Sequence, residues 1–313
     1  MEYENRPVPE GINVSDQHPL VDFFWMLATV ALVITVLMVV LSLSAGWLAR
    51  QIPMAQENRW AEAYLAQRPI ELSETALRKQ RWLQGLADRL SPAMALPPDT
   101  TIHVRYIENN QVINAFATLG GNVVIYSGLI NAVDTENSLA MVMAHEIAHI
   151  KHRDPITALG RGAAVALGLS AIVGVSDSAM AQGIIGNVGL LTGLSFSRKQ
   201  ENVADQEAIE ALLAHYGHLN GAAAFFEQLH AMEPGFMPEI LATHPLTEKR
   251  IERLTRAAGA ERDGKPLPLP DWLKDGGTPC EHSCTHKTCQ HDHGPTARLF
   301  TTLHAKGKQS ACK

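Results

Sequence analysis

Two histidines and a glutamate occur at a spacing that suits a metal site. His145 and His149 are separated by three residues, and Glu146 directly follows the first histidine, in the pattern H-E-x-x-H. Residues i and i+4 lie on one face of an α-helix, so both imidazoles can reach one ion. A zinc peptidase holds Zn²⁺ in this way while the glutamate deprotonates water. The pattern predicts one catalytic Zn²⁺ ion, with Glu146 as the general base.

The surrounding residues predict that this helix is buried and has a defined start. Val142, Met143, Ile147 and Ile150 are apolar, and buried imidazoles or carboxylates are costly unless they have partners. The segment Asp134-Thr135-Glu136 supplies an N-cap candidate and an acidic first turn. The alternative is a pair of hydrogen-bonded core histidines beside a surface glutamate. The other motifs of the chain favour the metal site.

A third ligand is expected elsewhere in the chain, because catalytic zinc keeps three protein ligands and one open position. Glu201 and Asp205 are at i and i+4 and share a helix face. We expect Glu201 to bind the ion and Asp205 to accept a hydrogen bond from a ligating histidine. Ala204 and Ala208 would let this helix approach the metal helix closely. The spacing alone fits equally well two solvated acids on an exposed helix.

Three short segments before the metal helix have the composition of β-strands. They cover residues 102–107, 112–117 and 122–127, with turns predicted at Asn109-Asn110 and Gly120-Gly121. The segments predict a small antiparallel meander that leads directly into the metal helix.

The second of these strands is a candidate for substrate binding. In zinc peptidases of this layout a substrate commonly pairs with an edge strand beside the metal through backbone hydrogen bonds. Asn114, Ala115 and Phe116, followed by Ala117, are the predicted substrate-binding residues. The alternative is an ordinary strand that makes no contact with substrate.

Prolines and glycines divide the remaining helical segments. Residues 54–91 predict two helices separated near Pro69, because proline breaks a helix interior. Pro155 is expected to end the metal helix. Residues 156–196 are apolar and rich in glycine and alanine. They predict a helical hairpin that packs on the domain or lies against a membrane, with a second pair of membrane spans as the alternative.

An uncharged segment near the N-terminus predicts a membrane anchor. Residues 23–49 carry no charge, and roughly 20 apolar residues suffice to span a bilayer as a helix. Trp25 and Trp47 lie near its ends, as in an aromatic belt. A buried core helix or a cleaved signal peptide fits this long, acid-preceded segment poorly. More arginines follow the segment than precede it, which favours a cytoplasmic catalytic domain on a single-pass protein of a bacterial inner membrane.

Several blocks of the chain resemble those of one protein family, and they come in that family's order. Within residues 55–256 they are the strand Asn114–Ala117 with Gly120-Gly121, then His145–His149, Ser197–Asp205 and Thr243–Ile251. These blocks are similar to those of the membrane-associated gluzincin zinc proteases, which include the heat-shock protease HtpX and the CAAX prenyl endopeptidase.

The resemblance implies a metalloendopeptidase with zinc ligands His145, His149 and Glu201 and general base Glu146. It further implies a role in protein quality control, by cleavage of misfolded or membrane-associated proteins. This chain has one clear anchor where some family members have several spans, which favours a water-facing active site.

Two residues of the last block have open roles. His244 lies in a loop before Pro245. It could donate to the oxyanion that forms at the scissile carbonyl, bind the zinc as a fourth ligand and keep the enzyme latent, or pack against the following helix. Arg250 is a second candidate for oxyanion stabilisation, or a salt-bridge partner of Glu201 or Asp205.

The C-terminal segment predicts a linker and a Cys/His-rich tail. Residues 261–279 contain several prolines and glycines and predict the linker. The tail is expected to be disordered with adventitious metal affinity; metal buffering or sensing, or disulfide formation, are the alternatives. Its possible secondary metal ligands are Cys280, His282, Cys284, His286, Cys289, His291 and His293.

The composition limits the class of protein. A net charge of −6 and the lack of a basic stripe argue against nucleic-acid binding. All four cysteines lie near the C-terminus, so the body of the chain has no disulfide framework.

These patterns predict a mainly helical α+β fold, with a zincin-like metallopeptidase domain, a small antiparallel sheet and one preceding transmembrane helix. Protein or peptide substrates and, through the N-terminal helix, the lipid bilayer are the expected partners. A membrane-tethered chaperone or adaptor, and a metal-handling protein acting through its tail, are the rival functions. The expected divisions are a polar tail over 1–22, the anchor over 23–49, the metallopeptidase domain over 50–260, the linker over 261–279 and the Cys/His-rich tail over 280–313.

Overall fold

The computed structural model describes residues 19–67, 71–173, 196–231, 238–245, 247–260 and 264–274. This part of the chain is mainly helical with one small sheet, as expected. The first helices are α1 (Pro19–Ala49), α2 (Met54–Ala66) and α3 (Glu74–Leu90), followed by strands β1 (His103–Ile107), β2 (Ala115–Thr118) and β3 (Asn122–Tyr126). Next come α4 (Ser127–Ala132), α5 (Glu136–Lys151), α6 (Asp154–Val173), α7 (Arg198–Tyr216), α8 (Ala224–Ala231), α9 (Glu239–Thr243) and α10 (Glu248–Ala260).

The sheet is mixed and has the strand order β1–β3–β2, so the prediction of an antiparallel meander was wrong. β2 and β3 do form an antiparallel hairpin. Its turn contains Gly120 and Gly121, whose φ angles of 68° and 70° are readily adopted by glycine. β1 instead pairs with β3 in parallel. The connection after β1 crosses the end of β3, where the backbone N–H of Asn109 donates to Ser127 Oγ. β2 therefore lies on the far side of β3 and forms a sheet edge.

The metal-motif helix α5 is the centre of the core. Its residues from Asn137 to Ile150 are all buried. The Thr135 side chain caps its start by accepting a hydrogen bond from the N–H of Ser138, so the predicted N-cap is confirmed. α5 packs against α7 on one side and β2 on the other. Buried alanines at 204, 208 and 211 let α7 approach closely, which also agrees with the prediction.

α1 is exposed and apolar, and α6 packs along it. The segment Leu20–Ala49 contains an 18-residue window with a mean hydropathy of 2.8 and is long enough to cross a membrane. A Cβ at Gly160 would lie 2.9 Å from the carbonyl oxygen of Ala45, and one at Gly168 would clash with Met38. The contacts show that α6 runs antiparallel to α1. α6 is thus the first helix of the predicted hairpin. The rest of that prediction falls on residues 174–195, which lie outside the described residues.

The start of the predicted linker packs onto the domain. Leu269 and Leu273 are buried in the main core, and Pro268 forms a β-bridge with Thr135. The N–H of Leu267 donates to Asn137 Oδ1 at 2.8 Å. These contacts show that residues 264–274 pack on the domain and do not form a free linker. Their prolines suggested an exposed segment, but the intervening leucines find apolar partners. The Cys/His-rich tail lies outside the described residues.

Candidate metal centre

Four side chains from three parts of the chain converge in the core. They are His145 and His149 of α5, Glu201 of α7 and His244, which directly follows α9. One ligand atom from each lies within 4.8 Å of every other, and all four residues are buried. The structure therefore brings the three ligands predicted from the sequence together and adds His244 to them.

The spacing of these atoms fits four ligands around one zinc ion. With Zn–N and Zn–O distances of about 2.0–2.1 Å, neighbouring ligand atoms in a tetrahedron are about 3.3 Å apart. His145 Nε2 lies 3.1 Å from His149 Nε2 and 3.2 Å from His244 Nδ1. Glu201 Oε1 lies 3.0 Å from His244 Nδ1 and 3.5 Å from His149 Nε2. These distances lie close to the tetrahedral edge.

The electrostatics of the cluster favour a cation. Burial lowers the pKa of His145, but the facing carboxylates of Asp205 and Glu201 outweigh burial and raise it to about 10. Burial raises the pKa of Glu201, yet the imidazoles of His145, His149 and His244 outweigh burial and hold it well below its usual range. The same attraction acts on a metal ion, so the buried donor set fits Zn²⁺ by charge as well as by spacing.

Each α5 histidine has a carboxylate on the ring nitrogen that faces away from the cluster. His145 Nδ1 lies 3.0 Å from Asp205 Oδ1, where a partner for a ligating histidine was predicted. His149 Nδ1 lies 2.8 Å from Asp154 Oδ2. Carboxylates in these positions orient a ligating imidazole and leave its Nε2 free to bind. Gln200 donates from Nε2 to Asp154 Oδ1 at 2.6 Å and ties the start of α6 to α7.

Asp154 was not singled out from the sequence. A signal for it was present, because an aspartate directly before Pro155 at the start of a helix is typical of a capping position. Its contact with His149 was not recognisable, since that contact depends on how the chain turns between α5 and α6. Phe196 was also missed: its ring stacks on His149, with ring centroids 4.1 Å apart.

Arg250 is buried and makes the contacts of a salt-bridge partner, one of the two roles considered for it. Its Nε and Nη2 donate to the two carboxylate oxygens of Asp205 at 2.9 and 2.8 Å. Its Nη1 lies 2.5 Å from Glu201 Oε2 and donates to the carbonyl of Pro245 at 2.9 Å. Arg250 thereby joins Glu201 and Asp205 to the loop that carries His244.

Glu146 lies between the cluster and the edge strand β2. Its Oε2 accepts a hydrogen bond from the N–H of Ala117 at 2.8 Å, and its Oε1 lies 3.4 Å from His244 Nε2. Burial raises the pKa of Glu146, opposed mainly by His244 and His145. Asn114, Ala115 and Phe116 are also buried beside this position. Their role in substrate binding stays a prediction.

The fold and the site together define a zinc metallopeptidase domain. The model of Peptidase family M48 matches residues 77–258, and the chain belongs to this family. The family relationship and the zinc dependence expected from the motifs are therefore confirmed.

Named relatives cover parts of the chain. The beta-barrel assembly-enhancing protease of Escherichia coli (strain K12) is 36% identical over 165 residues, 47% of this chain and 32% of that protein. The mitochondrial metalloendopeptidase OMA1 of Schizosaccharomyces pombe is 30% identical over 196 residues, 61% of this chain and 51% of that protein. A protease HtpX homolog of Acidiphilium cryptum is 28% identical over 217 residues, 56% of this chain and 74% of that protein. The matched part of this chain thus spans only 32% of the E. coli relative and 51% of the yeast relative.

Proposed function

We propose that this protein is a membrane-anchored zinc metalloendopeptidase that hydrolyses peptide bonds of misfolded or membrane-associated proteins. The observation that carries the proposal is the buried cluster of His145, His149, Glu201 and His244 with Glu146 beside it. Zinc held there supplies Lewis acidity, which polarises a peptide carbonyl and lowers the pKa of a water molecule. Misfolded or membrane-associated substrates are proposed by analogy with the family.

Glu146 is the proposed general base and acid. The N–H of Ala117 holds one carboxylate oxygen, and the other, Oε1, is buried and accepts no hydrogen bond within the described part of the chain. A carboxylate whose pKa is raised by burial takes up a proton more readily near neutral pH. Glu146 would accept the proton from the attacking water and then deliver it to the leaving amine.

The edge of β2 is the proposed docking site for the substrate backbone. The N–H of Tyr126 on β3 donates to the carbonyl of Asn114. Residues along an antiparallel strand alternate between pairing with the neighbouring strand and pointing away from it. Ala115 and Ala117 therefore point their backbone groups away from β3, and the N–H of Ala117 reaches Glu146. The backbone of Ala115 and the carbonyl of Ala117 would therefore pair with an extended substrate beside the metal centre, since the N–H of Ala117 is bonded to Glu146.

His244 is proposed as a latch. It completes a set of four ligand residues, whereas catalytic zinc needs one position for water or substrate. His244 would have to leave this position before cleavage, which makes the described arrangement a latent one. Donation to the oxyanion, another of the three roles considered for His244, would require this same movement away from Glu201.

The proposed membrane attachment rests on α1. The helix has large apolar side chains exposed along its length, including Trp25 at 70% and Trp47 at 64%. Burying such a surface in lipid is favourable, whereas its exposure to water is costly. We propose a single-pass protein of a bacterial inner membrane, with the catalytic domain on the cytoplasmic side as the arginine distribution favours. Labelling of cysteines introduced on α10 in intact and opened cells would test the side.

The test of function is zinc content and casein cleavage by the full chain in detergent micelles. Wild type, Glu146→Gln and Glu201→Ala are compared, each also without residues 277–313 so that zinc bound by the tail is not counted. We expect cleavage by wild type, retained zinc without cleavage for Glu146→Gln, and lost zinc for Glu201→Ala. A wild type and a His244→Ala variant that both bind one zinc and cleave nothing would favour the binding-protein function instead.

A further inference from the structure

Two arginines, neither of which has a carboxylate partner among the described residues, lie where α1 meets α6. Arg50 directly follows α1, and Arg161 is the only charged residue of α6 after Asp154. Among the described residues neither arginine forms an ion pair, whereas their neighbour Arg153 pairs with Glu57. Within the described part of the chain, two positive charges without ion-pair partners therefore lie at one end of an apolar helix pair.

The two side chains meet at one place in the helix junction. Arg50 donates from Nε to Thr157 Oγ1 at 3.0 Å. Arg161 lies one helical turn further along α6 and runs over Gly46 of α1. A Cβ at Gly46 would lie 2.8 Å from Arg161 Nε and 3.3 Å from Thr157 Cγ2, so the glycine makes room for the arginine. The Nε of Arg161 is buried and has no hydrogen-bond partner in the described structure.

The junction lies at the boundary between polar and apolar surface. α1 is apolar and exposed up to Leu48, with Trp47 next to Gly46. Beyond Arg161, α6 exposes Val165 and Leu167 and continues beside Met38 of α1, which it contacts through Gly168. At a rise of about 1.5 Å per residue, α6 extends more than about 15 Å past Arg161 along the apolar part of α1. A membrane that surrounds α1 would place the two arginines near its headgroups.

We propose that Arg50 and Arg161 bind the phosphate group of an anionic phospholipid at the junction of α1 and α6. The proposal rests on the membrane anchor of the proposed function. Guanidinium groups match phosphate oxygens with paired hydrogen bonds, and basic pockets between membrane helices bind lipid headgroups. Arg161, whose Nε has no hydrogen-bond partner among the described residues, supplies guanidinium donors for this contact, and the apolar faces of α1 and α6 accommodate the acyl chains.

Native mass spectrometry of the full chain, released from detergent micelles, tests this proposal with three probes. Phosphatidylglycerol carries the expected anionic headgroup, phosphatidylcholine has the same phosphate with a compensating charge, and inorganic phosphate lacks acyl chains. We expect wild type to retain one phosphatidylglycerol in preference to phosphatidylcholine, and inorganic phosphate not to compete. An arginine near a membrane surface contributes about fivefold to attraction for anionic lipid, so Arg50→Gln/Arg161→Gln should weaken retention about 25-fold.

Two variants serve as controls. Arg50→Lys/Arg161→Lys keeps both charges and should retain most of the preference for phosphatidylglycerol. Arg59→Gln/Arg256→Gln removes two exposed arginines away from the helix junction and should bind lipid like wild type. Equal retention by wild type and the Arg50/Arg161 glutamine variant, or equal retention of the two lipids, would overturn the proposal. So would displacement of lipid by inorganic phosphate.

Zinc content and casein cleavage are measured on the same preparations. A wild type that prefers phosphatidylglycerol, with no cleavage by either wild type or His244→Ala, would contradict the proposed enzyme and leave the lipid site supported. A wild type that cleaves casein but retains the two lipids equally would contradict the lipid site and leave the proposed enzyme supported. The zinc content of the glutamine variant also shows whether its domain is folded, and the lysine variant provides the comparison if it is not.

Discussion

His149 Nδ1 lies 2.8 Å from Oδ2 of Asp154, the first residue of the next helix. Because this carboxylate orients the ring, Asp154→Asn should lower zinc affinity about 10- to 100-fold. Competition with a fluorescent chelator measures this affinity. Asp134→Asn is the matched control, since Asp134 is exposed and its ion pair in the described structure is with Lys274. Wild-type zinc affinity in Asp154→Asn would show that the contact is not needed for binding.

Glu146 and Glu201 should separate catalysis from metal binding. Glu146→Gln keeps the shape of the side chain but removes the base, so cleavage should fall by about 10²- to 10⁴-fold with zinc content unchanged. Glu201→Gln should lose zinc, because the cluster then lacks a charged ligand. The measurements are casein cleavage and zinc content on the same samples. Loss of zinc in Glu146→Gln would assign that residue to the metal site itself.

His244→Ala distinguishes the roles considered for this residue. If His244 blocks the fourth ligand position, its removal should increase casein cleavage, and three protein ligands should still retain zinc. A donor to the oxyanion would behave oppositely, with cleavage falling by about 10²- to 10³-fold. The measurement is the initial rate of casein cleavage by His244→Ala and wild type, at saturating and at limiting casein. Unchanged rates would leave His244 a packing residue.

Arg250 should be needed for stability. Arg250→Met removes the buried guanidinium that pairs with both carboxylate oxygens of Asp205. That carboxylate keeps its contacts with Arg253 and His145, but breaking a buried ion pair costs about 3–5 kcal/mol. For a domain of this size the loss corresponds to a fall in Tm of roughly 10 °C. Thermal unfolding of the zinc-loaded chain is the measurement. Arg256→Met, at a side chain 79% exposed, should change the Tm little. Similar Tm values for the two variants would contradict the structural role given to Arg250.

The packing of α6 on α1 should depend on Gly160. A Cβ there would lie 2.8 Å from Ala49 Cβ, whereas one at Gly162 meets nothing within 4 Å. Gly160→Ala should therefore lower the Tm in detergent micelles. Gly162→Ala should leave it unchanged or raise it, because alanine favours a helix by about 1 kcal/mol over glycine. A lower Tm for Gly162→Ala alone would place the helix contact on the other face of α6.

Local patterns were sufficient for much of the fold. The strand positions and the N-cap at Thr135 depend on neighbouring residues, which is why they could be predicted before the structure. The strand order could not be predicted in this way. β1 pairs with β3 in parallel, and the Asn109 contact with Ser127 joins segments 18 residues apart, whereas a turn sequence does not show which strand lies beyond it.

The features of the candidate site also fall into two groups, those predictable from local sequence and those that depend on packing. The spacing of His145 and His149, and that of Glu201 and Asp205, follow from the period of a helix and were readable from the chain alone. The contact of Asp154 with His149 and the arrival of His244 at the cluster depend on how separate elements pack. The sequence by itself determined which residues could bind a metal, because that depends on residue type and local spacing. Only the tertiary structure decided which residues support these ligands, because those contacts depend on how separate helices pack.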